Sequence, residues 1–347
     1  MSRTVKIGFI GAGGIARWQG EQLKKVPGAE VVAVADVNDA AIEQFKKQIP
    51  VKTTLKDWKQ LLAMKEIEAV SVCTPNKLHC EPTIAALKAG KHVLVEKPMA
   101  MNADEAKAMV AAGKKAKRLL QIGFQWRFTP AAQLLHKRVA AGDFGKILYV
   151  RAQALRRRGI PSWGVFGRKE LQGGGPMIDI GVHILEMAHF VMGAPKATAA
   201  RGSCYTYIGD RKPDVACSWG AWDHKTYTVE DLAVGFIKFA DGASLVIESS
   251  FAAHIDKDVF TIQIMGTKAG ATYDPLQVFT DDGGYMWNQT PAFAGSGDCF
   301  EYKMRHFVEC VRDGKKCKAP GEDGLVVQQM LDGIYRSAEL NREVTIR

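Results

Sequence analysis

The stretch Val5-Lys6-Ile7-Gly8-Phe9-Ile10-Gly11-Ala12-Gly13-Gly14-Ile15-Ala16-Arg17 decides the fold of this chain when it is read together with Asp36. Val5, Ile7, Phe9 and Ile10 form a short apolar run, which predicts a buried strand. Gly11, Gly13 and Ala16 follow at the spacing G-x-G-x-x-A and open a segment that reads as a helix. Such a turn lets backbone approach a pyrophosphate, and the helix N-terminus behind it supplies unpaired N–H groups and partial positive charge. The candidate loop residues are Gly11, Gly13, Gly14 and Ile15. A second expected strand, Glu30 to Ala35, ends in Asp36, where a carboxylate would meet the 2′-hydroxyl of an adenosine ribose. A 2′-phosphate would meet like charge there, and neither Val37 nor Asn38 offsets it. The expected cofactor is therefore NAD, with NADP as the alternative.

Outward from this stretch, strand and helix patterns alternate as far as residue 123, which predicts a parallel, doubly wound sheet of the Rossmann type. Expected strands are Val5 to Ile10, Val31 to Ala35, Ala69 to Cys73, His92 to Val95 and Leu119 to Ile122. Expected helices include Ala40 to Gln48, Leu55 to Ala63 and Ala103 to Ala116, the last begun by Asn102 with Glu105 in capping-box register. Beyond 123 the pattern turns β-rich, with Tyr227 to Phe239, Ala243 to Phe251 and Val259 to Met265 as strands. Asp241-Gly242 reads as a hairpin turn. Asp179 to Val191 and Asp323 to Leu340 read as helices. The division expected is a cofactor-binding α/β domain over 1–123 and an α+β domain with a large, mostly antiparallel sheet over 124–347 for substrate binding and oligomerisation.

The 347 residues suffice for two cores, and the net charge of +10 is spread over short basic groups without a nucleic-acid motif. Seven cysteines, none spaced as C-x-x-C, predict neither a metal site nor a disulfide framework. No apolar run reaches the roughly 18 residues that cross a bilayer. No membrane partner is expected, and a reduced cytoplasm is the expected compartment.

Three further clusters carry chemistry. Glu96-Lys97-Pro98 follows an expected strand, and a residue before proline is biased to extended backbone. Lys97 is then either a turn lysine or a group at the ligand-binding end of the sheet. Asp179 and His183, entered through Gly173-Gly174-Gly175-Pro176, stand at i and i+4. Asp179 could equally be a capping carboxylate, and His183, among Val182, Ile184 and Leu185, a core histidine. At the junction, Arg127 in Phe124-Gln125-Trp126-Arg127-Phe128 either orients hydroxyls or pairs with a carboxylate.

Taken in order, the N-terminal glycine motif, Asp36, Thr74-Pro75-Asn76 with His79, Glu96-Lys97-Pro98, GFQWRF and GGGPMIDIGVH resemble the Gfo/Idh/MocA family of dehydrogenases. Thr228-Val229-Glu230-Asp231 and Glu322-Asp323-Gly324 extend the resemblance along nearly the whole chain. It implies a catalytic group of Lys97, Asp179 and His183 and a cofactor site including Thr74, Pro75, Asn76, His79, Glu96, Lys97 and Gln125. Lys97, Asp179 and His183 would also contact substrate, with Arg127, Arg156 and Trp163. The implied substrates are sugars and cyclitols. The Arg156-Arg157-Arg158 loop with Trp163 is more like members acting on glucosides, and C3 of a glucose-like ring is the first expectation. Inositol, a sugar phosphate, a nucleotide sugar, glycosidase or lyase chemistry with retained NAD, and a non-catalytic NAD sensor are the alternatives. Apolar residues on both faces of Leu232 to Ile237 predict a homodimer or homotetramer packed through that sheet.

Overall fold

The computed structural model describes residues 3–346 and divides into two units. The first takes in residues up to Gln125 together with Gly297–Leu325, and the second comprises Trp126–Ser296 with the chain from Val326 onwards.

The first unit is built on six parallel strands: β1 (Val5–Ile10), β2 (Ala29–Ala35), β3 (Thr53–Leu55), β4 (Ala69–Val72), β5 (His92–Val95) and β6 (Leu120–Ile122). Their order, β3-β2-β1-β4-β5-β6, reverses direction between β1 and β4, the switch point where ligands bind in such sheets. Val5, Ile7, Phe9 and Ile10 are all buried, as a strand covered on both faces requires. Where one helix over 55–63 is expected, Leu55 is the last residue of strand β3 and the helix covers only Trp58–Ala63. The β-branched Thr53 and Thr54 extend the chain, and the Asp57 carboxylate accepts the Lys59 N–H and starts the helix later. Asn102 caps helix Ala103–Ala116 through the Glu105 N–H at 2.9 Å, whereas the Glu105 carboxylate accepts from Met101 rather than Asn102.

The returning segment is the largest departure from the linear division. Helix Cys299–Asp313 places Met304, Phe307, Val308 and Val311 in the core cluster formed by Val5, Ile7 and Phe9. Beyond it, the chain pairs along the edge strand, with the Ile122 N–H donating to the Ala319 carbonyl at 2.9 Å. An edge that would otherwise expose backbone groups is thereby covered.

The second unit carries nine strands: β7 (Ile147–Leu155), β8 (Ala197–Tyr205), β9 (Leu232–Phe239), β10 (Ser244–Ser250), β11 (Val259–Gly266), β12 (Ala269–Thr272), β13 (Gln277–Asp282), β14 (Tyr285–Gln289) and β15 (Val344–Thr345). They lie in the order β14-β13-β12-β11-β7-β10-β9-β8-β15, antiparallel throughout except for the β7–β10 pair. The β9–β10 hairpin turns at Asp241-Gly242, where Gly242 takes φ +88°. Strand β9 alternates: Ala233, Gly235 and Ile237 are buried, while Leu232, Val234 and Phe236 are half-buried. On the buried face, a Cβ at Gly235 would lie 2.7 Å from Ile334, so the C-terminal helix rests directly on the strand.

Candidate functional site

In the first unit the glycine turn is built as the motif predicts. Gly11 takes φ +97°, and a Cβ there would stand 2.7 Å from the Cys73 carbonyl, so both conformation and space demand glycine. Gly13 is the N-cap of helix Gly14–Lys24 and offers no capping side chain, while Ala16 is fully buried behind it. Open space faces both Gly13 and Gly14. Ile15 packs against the hydrophobic core with its half-buried side chain and offers the loop only its backbone. Uncapped N–H groups at a helix start beside open space are what a pyrophosphate occupies.

Asp36 ends β2 with its carboxylate fixed by two backbone donors, Ala12 N–H at 2.7 Å and Asn38 N–H at 2.8 Å. It thus ties the glycine turn to the strand end and lines one cleft with Gly11, Gly13, Val37, Thr74 and Pro75. The cradle and the oriented carboxylate fit the adenosine and pyrophosphate of NAD. Thr74 donates its hydroxyl to the Leu78 carbonyl at 2.8 Å, Pro75 is exposed, and Asn76 is buried in the turn that follows.

His79 and Glu96, expected among the cofactor contacts, are buried and bonded to neighbouring segments. The His79 ring nitrogens lie 2.8 Å from the Pro98 carbonyl and 2.9 Å from that of Thr74, joining the loops after β5 and β4. Burial lowers the pKa of this imidazole. The neutral ring carries one N–H and serves one carbonyl at a time. Glu96 accepts from Gln19 at 2.5 Å and from the Lys303 ammonium at 2.8 Å, and Lys303 is fully buried. Burial pushes Glu96 up, yet the Lys303 charge and hydrogen bond, aided by Lys97, hold it below the usual carboxylate value. Glycine is required at 123 because a Cβ there would lie 2.9 Å from the Glu96 carboxyl. Lys97, half-buried, follows Glu96 directly and enters a cis bond to Pro98. Gln125 is buried at the end of this unit.

In the second unit Asp179 lies within a π-helical turn, Met177–Gly181, and His183 in the α-helix Val182–Val191 that continues it. The expected single α-helical face is therefore interrupted by a wider turn, a feature found often at functional sites. Asp179 is half-buried and His183 buried. The turn is entered through Gly175, where a Cβ would stand 2.1 Å from the Glu230 carbonyl oxygen. The Glu230 carboxylate accepts from Gly175 N–H at 2.9 Å, Met177 N–H at 3.3 Å and the Tyr335 hydroxyl at 2.6 Å. Burial raises the Glu230 pKa against these bonds. Its neighbour Asp231 is fully buried and takes the N–H groups of Tyr207, Ile208 and Gly209 at 2.7–2.9 Å. These two carboxylates hold irregular backbone, so β9 begins at Leu232 and not at Tyr227.

Arg127 does not face solvent. It is 1% exposed, donates to Glu186 at 2.9 Å and lies over Phe190, so its charge is taken by a carboxylate of helix Val182–Val191. Of the two roles expected for it, the pairing with a carboxylate is the one seen. Of the three consecutive arginines, Arg157 donates to the Asp256 carbonyl and Arg158 to that of Ala253 and to the His254 ring. Arg156 alone sits within an aromatic stack, its guanidinium 4.3 Å from the Trp219 ring centre. Trp219 stacks in turn on Trp163 at 5.5 Å and 9°. Trp163 is 57% exposed. Burial lowers the Arg156 pKa, and the charge of Asp179, first among its acidic neighbours, opposes this. Trp219 and Lys303 make these contacts without a sequence motif of their own, while Glu230 belongs to the Thr228-Val229-Glu230-Asp231 segment.

Residues 5–124 match the sequence model of the oxidoreductase family with an NAD-binding Rossmann fold, and residues 132–272 that of the GFO/IDH/MocA C-terminal domain. D-glucoside 3-dehydrogenase of Escherichia coli (strain K12) is 34% identical over 348 residues, spanning 99% of this chain and 98% of that protein. Among solved structures, an oxidoreductase domain protein from Kribbella flavida has a TM-score of 0.87 at 26% identity, with 100% of both chains covered. Levoglucosan dehydrogenase, solved with NADH and levoglucosan, has a TM-score of 0.85 at 26% identity over 99% of this chain and 100% of that one. No helix among the described residues is long and apolar enough to cross a membrane. The glycine cradle, the fixed Asp36 and the two family matches identify the chain as an oxidoreductase of the Gfo/Idh/MocA family, built on an NAD-binding Rossmann domain.

Proposed function

We propose that the chain oxidises a secondary ring hydroxyl of a glucoside, at C3 of the glucose-like ring, with NAD as oxidant. The observation that carries the reading is the Arg156–Trp219–Trp163 stack beside the Asp179 charge. A guanidinium forks neighbouring hydroxyls and an exposed indole covers the apolar face of a pyranose. The whole-length similarity to D-glucoside 3-dehydrogenase supports the choice of position.

In this reading Lys97, Asp179 and His183 form the catalytic group. Bound NAD supplies the acceptor for the hydride that leaves the carbinol carbon. His183 takes the hydroxyl proton as the general base. Lys97 holds the same oxygen and stabilises the negative charge that grows on it. Asp179 orients the substrate and, through its charge, Arg156. The half-exposed apolar face of β9, with Leu232, Val234 and Phe236, takes a second copy of the chain, giving a homodimer or homotetramer. Light scattering that returns the mass of a monomer would remove this part of the proposal.

The direct test is NADH formation with methyl glucosides, glucose, myo- and scyllo-inositol, glucose 6-phosphate and a nucleotide sugar. Methyl glucoside should be the best substrate and yield the 3-keto product. K97M and H183N should each lower kcat by about 10²- to 10³-fold. A preference for inositol, or product without net NADH, would sink the assignment.

A further inference from the structure

The returning segment of the first unit gathers three side chains with soft ligand atoms. His306 and Cys310 are one turn apart on helix Cys299–Asp313, and Cys317 follows in the loop beyond it. One ligand atom from each lies within 4.8 Å of the others, and His306 Nε2 is 3.3 Å from Cys310 Sγ. The Cys317 thiol donates to the Gln121 side-chain oxygen. Around a tetrahedral zinc ion, with Zn–S near 2.3 Å and Zn–N near 2.05 Å, nitrogen and sulfur stand about 3.6 Å apart and two sulfurs about 3.8 Å. The three groups are thus within about 1 Å of a tetrahedral face before any ion is added.

We propose that His306, Cys310 and Cys317 bind one borderline-soft divalent cation of the zinc class, with water or the Gln121 side-chain oxygen in the fourth position. The Gln121 Oε1 atom is already 3.6 Å from Cys317 Sγ. On binding, both thiols release their protons to solvent and the imidazole donates a lone pair, so two thiolates and a dication leave the site neutral. The Lys318 N–H, now 2.9 Å from His306 Nε2, exchanges that acceptor for a thiolate sulfur as the metal takes the nitrogen. The pattern is H-x3-C-x6-C, which contains no C-x-x-C pair, and the expectation of no metal rested on that spacing.

The site would be structural. Gln121 belongs to the edge strand β6, and the same helix carries Lys303, whose ammonium holds Glu96 beside Lys97. A cation here fastens the returning helix to the sheet edge, and does so whatever sugar the enzyme takes.

The test uses full-length protein, reduced and stripped of metal, titrated with Co(II) and then Zn(II). One equivalent of cobalt should give the strong visible bands of tetrahedral coordination together with thiolate-to-cobalt charge transfer, and zinc should displace it and raise Tm. C310S and C317S should each weaken cobalt binding by more than about 100-fold, beyond the loss expected of an outer-shell partner. C299S, on the same helix outside the cluster, should leave binding unchanged. A weak octahedral cobalt spectrum in the wild type overturns the proposal, as does full-strength binding in either variant. The wild-type spectrum is decisive even if a variant fails to fold. Reduced protein that ignores cobalt but forms a Cys310–Cys317 disulfide with hydrogen peroxide also overturns it.

Discussion

The glycine turn of the first unit and the region around Arg156 and Asp179 in the second are built by opposite means. The turn is complete within consecutive sequence: strand, Gly11, Gly13, Ala16, and then Asp36 at the next strand end, with the carboxylate returning to the Ala12 N–H. The second region draws on segments far apart: Arg156 and Trp163, the Asp179 turn, Trp219, Glu230, and Tyr335 on the last helix. A backbone-made site needs only small residues in a fixed order. A side-chain-made site needs long-range packing to bring its members together.

The contrast can be broken first where the first unit, away from its turn, depends on a distant residue. K303M leaves the buried Glu96 carboxylate uncompensated and should cost about 3–5 kcal/mol in urea unfolding at neutral pH. In the wild type Glu96 is depressed below its ordinary value, so its stabilisation is present above that value and is lost as pH falls through the depressed one. In K303M burial, the largest influence on Glu96, is opposed by Lys97 without the buried ammonium, so Glu96 rises, protonates on mild acidification and so regains stability. The deficit of the variant should therefore narrow as pH is lowered. A deficit constant with pH would mean that the ammonium contributes by packing and not by charge.

A smaller effect is expected within the turn itself. D36N removes the charge facing the ribose but keeps one oxygen for a backbone donor, so NAD should bind about 10- to 100-fold more weakly by calorimetric titration, with NADP gaining relative to NAD. An unchanged Kd would show that the turn holds its cofactor through the pyrophosphate alone. The smallest effect belongs to the assembled region. W219A should raise KM for methyl glucoside about 2- to 10-fold and leave kcat nearly intact. An equal fall in kcat would give Trp219 a part in aligning the reacting carbon.

The same contrast explains what could be read in advance. Gly11, Asp36, the Asn102 cap and the Asp241-Gly242 hairpin were legible because each acts on backbone within a few residues or on the neighbouring strand. Arg127 was ambiguous because guanidinium chemistry serves hydroxyls and carboxylates alike, and only the fold supplies Glu186. The π-turn at Asp179 was illegible because it depends on where Glu230 and Ser249 meet it: Ser249 donates to the Pro176 carbonyl at 2.9 Å, and a Cβ at Gly181 would press on Ser249. Lys303 carried no signal, since a lysine on an amphipathic helix reads as solvated until a buried carboxylate is found opposite it. For the same reason Gly297–Leu325 could not be assigned to the first unit from its local pattern.

That assignment fixes an order of events during synthesis. As the polypeptide leaves the ribosome, residues up to Gln125 emerge with a sheet that lacks Met304, Phe307, Val308 and Val311 from its core and with Glu96 still awaiting its counter-charge. Most of the second unit is translated before those residues appear. The cofactor domain, though it begins before the second unit, is therefore among the last parts of the nascent chain to close.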